Sequence, residues 1–379
     1  LLARFSPPLA FSLPAANREQ RSRQGTTPKR TRAQMLNPQA YDEAMHRALV
    51  LAENGPAWGV NPQVGAVILD AKNRVIGEGW HRGSGTPHAE VVALEAALNA
   101  SGGKLPNGCT AVVTLEPCNH TGKTGPCAQA LISAGIERVV YGSTDPGQTS
   151  AGGAETLRNA GIETYANLLV DQTDELIRPW ATAMRLGRPH VIVKWATSLD
   201  GRTAANDGSS KWISGHESRE DSHLRRANQD AILVGTATIL ADDAELTARY
   251  ADGTYYEHQP LRVVLGERDL PPTARVFNDR AETIQLATRD IKAALHELFD
   301  RGVRRLWVEG GPTVASAFLR EGLFDELIVY VAPLLLGGER VATTDIGIGN
   351  IAEAKNLRIV EHRRLGDDIL IRALPKESH

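Results

Sequence analysis

The chain has 379 residues, 42% of them hydrophobic and 23% charged, with a formal net charge of −3. Such a length supports two hydrophobic cores, and the near-balanced charge offers no global attraction to a polyanion. No apolar run approaches the ~18 residues a membrane span needs, and three cysteines, Cys109, Cys118 and Cys127, cannot staple a chain this long, which favours a reducing compartment, the cytoplasm, and metal or thiol chemistry.

Residues 1–34 carry seven basic residues against one acid, with no apolar period. They read as a disordered extension or tail rather than a targeting segment, with Met35 as the functional start. A nucleic-acid arm is a further reading, although no aromatic interleaves the basic cluster over residues 18–32. A first domain is expected over residues 35–180. Asn37 caps a helix with Pro38 at its first position, and Ala44, Ala48, Leu49 and Ala52 return at helical spacing. Two β-like runs, residues 64–69 and 75–80, follow as a hairpin. A helix runs from His88 to Ala100, a strand covers residues 110–115, and another helix begins at Pro126. Strands over 138–141 and 162–166 flank a helix over 155–160. Alternating strands and helices predict an α/β layered domain.

Residues 88–127 hold the chemistry. His88 and Glu90 fall in the first turn of one helix, and Cys118 and Cys127 lie around the start of the next. One imidazole and two thiolates make three metal ligands, which leaves the fourth tetrahedral position of a zinc ion open for water, whose pKa falls to about 7 there. Glu90, two residues after the histidine, is the proton carrier and not a ligand. The general zinc-deaminase signature is H-x-E followed by P-C-x-x-C; here eight residues separate the cysteines. Cys109, at a strand entrance, reads as packing, and His120 as a pocket wall or substrate contact.

A linker is expected over residues 171–188, followed by a second α/β set over 188–375. Strands are predicted over 191–195, 231–234, 261–265, 283–286, 304–308, 326–331 and 369–373, with a helix over 217–228, in a mixed or mostly parallel sheet. At Glu309, W-V-E-G-G-P-T leaves a strand and enters a helix, so its glycines bring backbone N–H groups to a helix N-terminus that suits phosphate. There is no G-x-G-x-x-G and hence no Rossmann reading.

The quoted motifs go further. N-P-Q-V-G-A-V-I from Asn61, G-x-x-H-A-E-V ending at Val91, and T-L-E-P-C-N-H-T-G-K-T-G-P-C from Thr114 resemble the bifunctional riboflavin-biosynthesis deaminase/reductase family. So do K-W-A-T-S-L-D-G-R-T-A from Lys194, S-S-K-W-I-S from Ser209, the segment from Ala231 to Arg249, and V-E-G-G-P-T. The resemblance covers the chain from about Met35 to its end. It implies an N-terminal cytidine-deaminase-like α/β/α domain and a C-terminal dihydrofolate-reductase-like α/β domain. It also implies Zn2+ and NADPH as cofactors and, as substrate, a diaminopyrimidinone carrying a ribosylamino 5′-phosphate. The pyrimidine is deaminated and its ribosyl group then reduced to ribityl, giving 5-amino-6-(5-phospho-ribitylamino)uracil.

Carried over by motif, Asn61, His81, His120 and Lys123 line the deaminase pocket. Ala196, Trp212, Thr238, Asp242, Gly266 and the run Gly311, Pro312, Thr313, Val314, Ala315, Ser316 and Ala317 hold NADPH. Ser210, Arg226, Leu246, Arg249 and Glu309 hold the substrate, and Lys194 assists ring opening or proton delivery. Two positions depart from the family pattern: Gly147 stands where Asn is common after Asp145-Pro146, and Ala244 replaces a Pro after Asp242-Asp243. The expected partner is this small phosphorylated pyrimidine, with no nucleic acid and no membrane, and homo-oligomerisation is compatible. Two other classes stay open on residues alone: a nucleic-acid deaminase with an accessory domain, which the net acidic body disfavours, and a zinc-held binding protein without chemistry.

Overall fold

The computed structural model of the chain describes residues 38–120, 125–147 and 149–376. The basic leader, the Asn37 cap and Lys123 lie outside them. The first half contains α1 (Pro38–Ala52), β1 (Gly65–Leu69), β2 (Val75–Trp80), α2 (Ala89–Ala100), β3 (Thr110–Leu115), α3 (Cys127–Ser133), β4 (Arg138–Ser143), α4 (Gly153–Asn159) and β5 (Glu163–Tyr165). The strands form one sheet in the order β2-β1-β3-β4-β5, with β1 antiparallel to both β2 and β3 and the rest parallel. The expected hairpin is therefore present. Asp70 closes its turn by accepting from the backbone N–H of Lys72 and Arg74 at 2.8 and 3.0 Å.

Both faces of this sheet are covered, which is why β1 and β3 are buried at every position instead of alternating. Ala66 and Ile68 of β1 pack with Ala89, Ala93, Leu131 and Leu157 from α2, α3 and α4. On the other face, a Cβ at Gly65 would lie 1.9 Å from the Ala48 carbonyl oxygen of α1. On the α2 side, Cβ atoms at Gly77 and Gly79 would lie 2.2 and 2.5 Å from the carbonyl oxygens of Ala93 and Ala89. Small residues thus let α2 rest directly on the backbone of β2, which fixes where its first turn points.

The span expected as a linker is instead a 17-residue helix, α5 (Val170–Leu186), ended by Gly187 in the left-handed region. Its amphipathic stripe explains the difference: Thr173, Ile177, Trp180, Ala181 and Ala183 are buried, Ile177 and Trp180 against Leu115 of β3. Pro and charged residues had masked that period.

The second half contains β6 (His190–Ser198), α6 (His216–Ala227), β7 (Ala231–Gly235), α7 (Thr236–Asp242), β8 (Leu261–Leu265), β9 (Thr283–Leu286), α8 (Ile291–Asp300), β10 (Arg305–Val308), α9 (Pro312–Glu321), β11 (Glu326–Ala332), β12 (Leu357–Leu365) and β13 (Asp368–Pro375). Its eight-stranded sheet has the order β12-β13-β11-β6-β10-β7-β8-β9. The six strands from β11 to β9 are parallel, and β13 and β12 add an antiparallel edge. The mixed sheet was expected; β12 and α8 were not. Alternate residues of β6 feed two cores, Val191 and Val193 on one face and Ile192 on the other.

The halves meet at a seam. Asp230, just before β7, accepts from the backbone N–H of Arg304 and Arg305 through Oδ2, both at 2.8 Å, and from Gly59 N–H through Oδ1 at 2.5 Å. The Trp58 and His258 rings stack at 3.9 Å, and Trp180 Nε1 donates to the Val60 carbonyl at 3.0 Å. Among the described residues no helix is long and apolar enough to cross a membrane.

Candidate functional site

His88 is the N-cap residue of α2, Cys118 sits in the loop after β3, and Cys127 is the first residue of α3. Strand, loop and two helix N-termini therefore bring together the three ligands read from sequence. His88 Nδ1 lies 3.6 Å from Cys118 Sγ and 3.2 Å from Cys127 Sγ, and all three donor atoms fall within 4.8 Å of one another. Tetrahedral zinc, with bonds of about 2.0–2.3 Å, places N and S ligands roughly 3.5 Å apart, so the donor set fits that ion. The Cys127 backbone N–H, 3.5 Å from Cys118 Sγ, helps hold a thiolate there. The hydrogen bond between the two cysteine side chains is the main reason that Cys118 is pulled down and Cys127 pushed up. Neither Cys109 nor His120 joins the cluster. Cys109 is buried with its thiol donating to the Pro106 carbonyl at 3.1 Å.

Glu90 is buried in the first turn of α2. Burial, and then the negative charge of Cys118, raise its carboxyl to about 7, against the opposing pull of His88. A carboxyl poised there can exchange a proton near neutral pH. His81 and Asn61, both expected against substrate, hold each other: Asn61 Nδ2 donates to His81 Nε2 at 3.0 Å, while His81 Nδ1 donates to the Pro87 carbonyl at 3.2 Å. Those partners fix the neutral tautomer, and burial lowers the His81 pKa further. His120 Nδ1 is buried with no partner among the described residues.

These groups line one cavity of about 190 Å³, together with Val60, Pro62, Glu116, Asp145, Ser150, Trp180, Met184 and Arg304. Sequence reasoning missed Glu116, Trp180, Met184 and Arg304. Glu116 lay inside the T-L-E-P-C motif, but the last three come from α5 and the second half, where nothing local points to the first domain. The buried Glu116 carboxylate accepts from the N–H of Ala154 at 3.0 Å and of Asp145 at 3.3 Å, tying the loop after β4 to the zinc loop. At Gly147 the N–H bonds the Asp145 carboxylate at 2.7 Å, and a Cβ would lie 2.2 Å from Ser150 Oγ. The departure from Asn thus goes with a tight turn that a side chain would force to rearrange.

In the second half the expected residues fall at the carboxyl ends of the parallel strands, the usual ligand edge of such sheets. Gly235, Gly266 and Gly310 end the adjacent strands β7, β8 and β10. A Cβ at Gly266 would lie 3.0 Å from Thr236 Oγ1, one at Gly310 2.4 Å from Val314, and one at Gly311 3.7 Å from Thr238 Oγ1. The ends of β7, β8 and β10 are thereby gathered against the side chains of Thr236, Thr238 and Val314, at the start of α9 with Pro312 in its first turn. The start of such a helix suits a dinucleotide pyrophosphate. Thr313 lies beside it, and Ala317 packs partly against the core. Ala315 and Ser316 face the interior, Ser316 Oγ accepting from Thr344 N–H at 2.8 Å, so any share they have in cofactor binding comes through the helix backbone. Asp242 ends α7, exposed, beside Asp243. Ala196 lies on β6 at the same edge, partly buried.

Lys194 of β6, Arg226 of α6 and Glu309 form one partly buried group, their side chains 15%, 16% and 11% exposed. Arg226 forks onto Glu309 at 2.7 and 2.6 Å and donates to the Thr247 carbonyl at 3.0 Å. Lys194 Nζ is 3.7 Å from the same carboxylate, and Trp307 Nε1 donates to it as well. Burial opposes ionisation of Glu309, but Arg226 and Lys194 outweigh it and hold the carboxyl below its usual range. The Arg226 fork, expected to hold substrate, is therefore engaged with a carboxylate inside the protein. Leu246 is buried with φ +58°, so it can offer a ligand only its backbone. Arg249 keeps a half-exposed guanidinium 3.7 Å from Glu245. Ser210 is partly buried two residues before Trp212, which is 70% exposed with the Arg219 guanidinium 4.6 Å from its ring.

Comparison with known proteins agrees with both halves. Residues 38–143 match the cytidine and deoxycytidylate deaminase zinc-binding region, and residues 189–371 match the RibD C-terminal domain. The riboflavin biosynthesis protein RibD of Mycobacterium tuberculosis H37Rv is 49% identical over 311 residues, covering 82% of this chain and 90% of that one. RibD of Escherichia coli K12 is 38% identical over 362 residues, covering 86% and 97%. The solved structure of Acinetobacter baumannii RibD superposes with a TM-score of 0.82 at 37% identity over 90% of this chain and 100% of that one. The deaminase/reductase of Thermotoga maritima gives 0.81 at 32% identity, with the same coverage.

Fold and site together define a two-part enzyme, a zinc-dependent hydrolytic deaminase joined to an NADPH-dependent reductase. The chain belongs to the RibD family and carries the deaminase and reductase steps of riboflavin biosynthesis.

Proposed function

We propose that His88, Cys118 and Cys127 hold the zinc and that Glu90 is the proton carrier of the deaminase, within a domain spanning residues 35–180. The observation that carries this reading is the convergence of the three ligand atoms beside the buried Glu90 carboxyl. Zinc bound there supplies the acidity that makes water a nucleophile at neutral pH. Glu90 takes the proton of the attacking water on a carboxylate oxygen and passes it to the pyrimidine ring nitrogen and the departing ammonia. Asn61, His81, His120 and Lys123 position a 2,5-diamino-6-ribosylamino-4(3H)-pyrimidinone 5′-phosphate. In the reductase domain, residues 188–375, NADPH lies along Thr238, Gly266 and the Gly311 to Ala317 run with Ala196, Trp212 and Asp242 beside it, and supplies the hydride. Ser210, Arg249, Glu309 and the Leu246 backbone hold the deaminated substrate. Arg226 acts through Glu309, and Lys194 delivers the proton that accompanies ring opening. The partner is a small molecule rather than a nucleic acid, since Arg304 is the sole lysine or arginine among the described residues lining the cavity. The exposed edge strand β12 is compatible with self-association, and three free cysteines with the cytoplasm.

Mass spectrometry of the aminopyrimidine phosphate after incubation with enzyme, with and without NADPH, reads the two sites separately. Amine is replaced by carbonyl without NADPH, and two hydrogens are added as well with it. Glu90→Gln lowers ammonia release by about 10²- to 10⁴-fold while zinc content is unchanged. Turnover surviving that change would overturn the assignment of Glu90.

A further inference from the structure

Arg304 belongs to the second half of the chain, one residue before β10, yet it lines the deaminase cavity of the first. Among the described residues around that cavity it is the sole lysine or arginine, whereas Glu90, Glu116, Asp145 and the Cys118 sulfur supply negative charge or its potential. A substrate with a phosphate group could not enter such a cavity without a compensating cation.

The guanidinium is held ready for that work. It lies 4.0 Å from the centre of the Phe299 ring, and its Nη1 donates to the carbonyls of Phe299 and Val303 at 2.7 and 3.2 Å. Nε is buried and without a hydrogen-bond partner among the described residues. A buried donor left idle is costly unless a ligand completes it. The backbone is fixed as well. One carboxylate, that of Asp230, accepts from Arg304 N–H and from Gly59 N–H, and Gly59 leads directly into the Val60, Asn61 and Pro62 rim. Asp230 thus sets the spacing between the pyrimidine-facing rim and the arginine across the domain boundary.

We propose that Arg304 is a specificity-determining residue of the deaminase, contributed by the reductase half to bind the substrate's 5′-phosphate. This deepens the deaminase reading above and rests on it. The deaminase pocket is on this account complete only where the two halves meet.

The test measures ammonia release by the full-length zinc-loaded enzyme on the aminopyrimidine 5′-phosphate and on its dephosphorylated counterpart. Arg304→Met keeps an unbranched apolar stem on Phe299. It is expected to raise KM for the phosphorylated substrate by roughly 10- to 100-fold, to leave kcat within about twofold, and to leave the dephosphorylated compound unaffected. Arg304→Lys restores part of the loss, since an ammonium keeps the charge but not the fork. NADPH-dependent reduction of separately supplied deaminated phosphate is unchanged, which reports an intact fold. Equal effects of Arg304→Met on both substrates, or no effect on either, overturn the assignment while the deaminase reading stands. An inactive wild-type enzyme would overturn both.

Discussion

Glu309 carries a heavier charge load than its place after a short strand suggests. Arg226 forks onto it, Lys194 approaches it and Trp307 donates to it, all with little access to water. Removing one partner of such a group leaves the others buried and uncompensated. Glu309→Gln is therefore expected to cost about 3 kcal/mol of stability, read as a lower urea midpoint, besides lowering NADPH oxidation. A midpoint unchanged from wild type would mean that the cluster is solvated. Residues of this kind were only partly legible in the sequence. His88, Glu90, Cys118 and Cys127 could be read because zinc chemistry demands few residue types at recognisable spacing. Arg226 was identified by motif, but its engagement with a carboxylate 83 positions away in the chain has no local signature. Arg304 was invisible, being one arginine among many until the fold brought it to another domain's cavity.

At the scale of elements, the contact of α2 with β2 decides where the catalytic turn sits. The helix lies so close that a methyl at Gly79 would come within 2.5 Å of both the Ala89 carbonyl oxygen and Ala93 N. Gly79→Ala must push the first turn of α2, and with it His88 and Glu90, away from Cys118. An overpacked site of this sort costs roughly 1–3 kcal/mol. Zinc retained after dialysis and ammonia release should both fall, with reductase activity kept; zinc retention equal to wild type would sink the argument. Most elements could be read from apolar period and turn residues, since the parallel strands are short unbroken apolar runs such as A-I-L-V-G. The failures share a cause. β12 is exposed along much of its length and carries Glu, His and Arg where a buried strand would carry Val or Ile, so its pairing with β13 leaves no apolar imprint. α5 reads as a linker in sequence because Pro179 and several charged residues lie among its apolar positions.

For the whole molecule, the two halves share structure instead of merely being strung together. α5 lies between them: Ile177 and Trp180 pack toward the first sheet, while Glu175 pairs with Arg372 of the second at 2.9 Å. Asp230 ties backbone from both sides. Zinc chemistry and hydride chemistry were each readable from motifs, but this seam was not, because it is made by backbone groups and by a stacked Trp58 and His258 that lie 200 positions apart.

The seam has a thermodynamic consequence for heat resistance. A ligand that binds only the folded state stabilises whatever unfolds together with its site, by about 2.7 kcal/mol at a hundred times its Kd. If Asp230 and its neighbours make the halves unfold together, NADPH should delay the thermal exposure of Cys118 and Cys127 even though it binds in the other half. Thiol-reagent labelling during a temperature ramp, with and without saturating NADPH, measures this directly. Protection is expected in the wild-type chain and should shrink in Asp230→Ala; identical labelling curves with and without NADPH would show that each half melts alone. The coenzyme of the second reaction would then also act as a thermal guardian of the first.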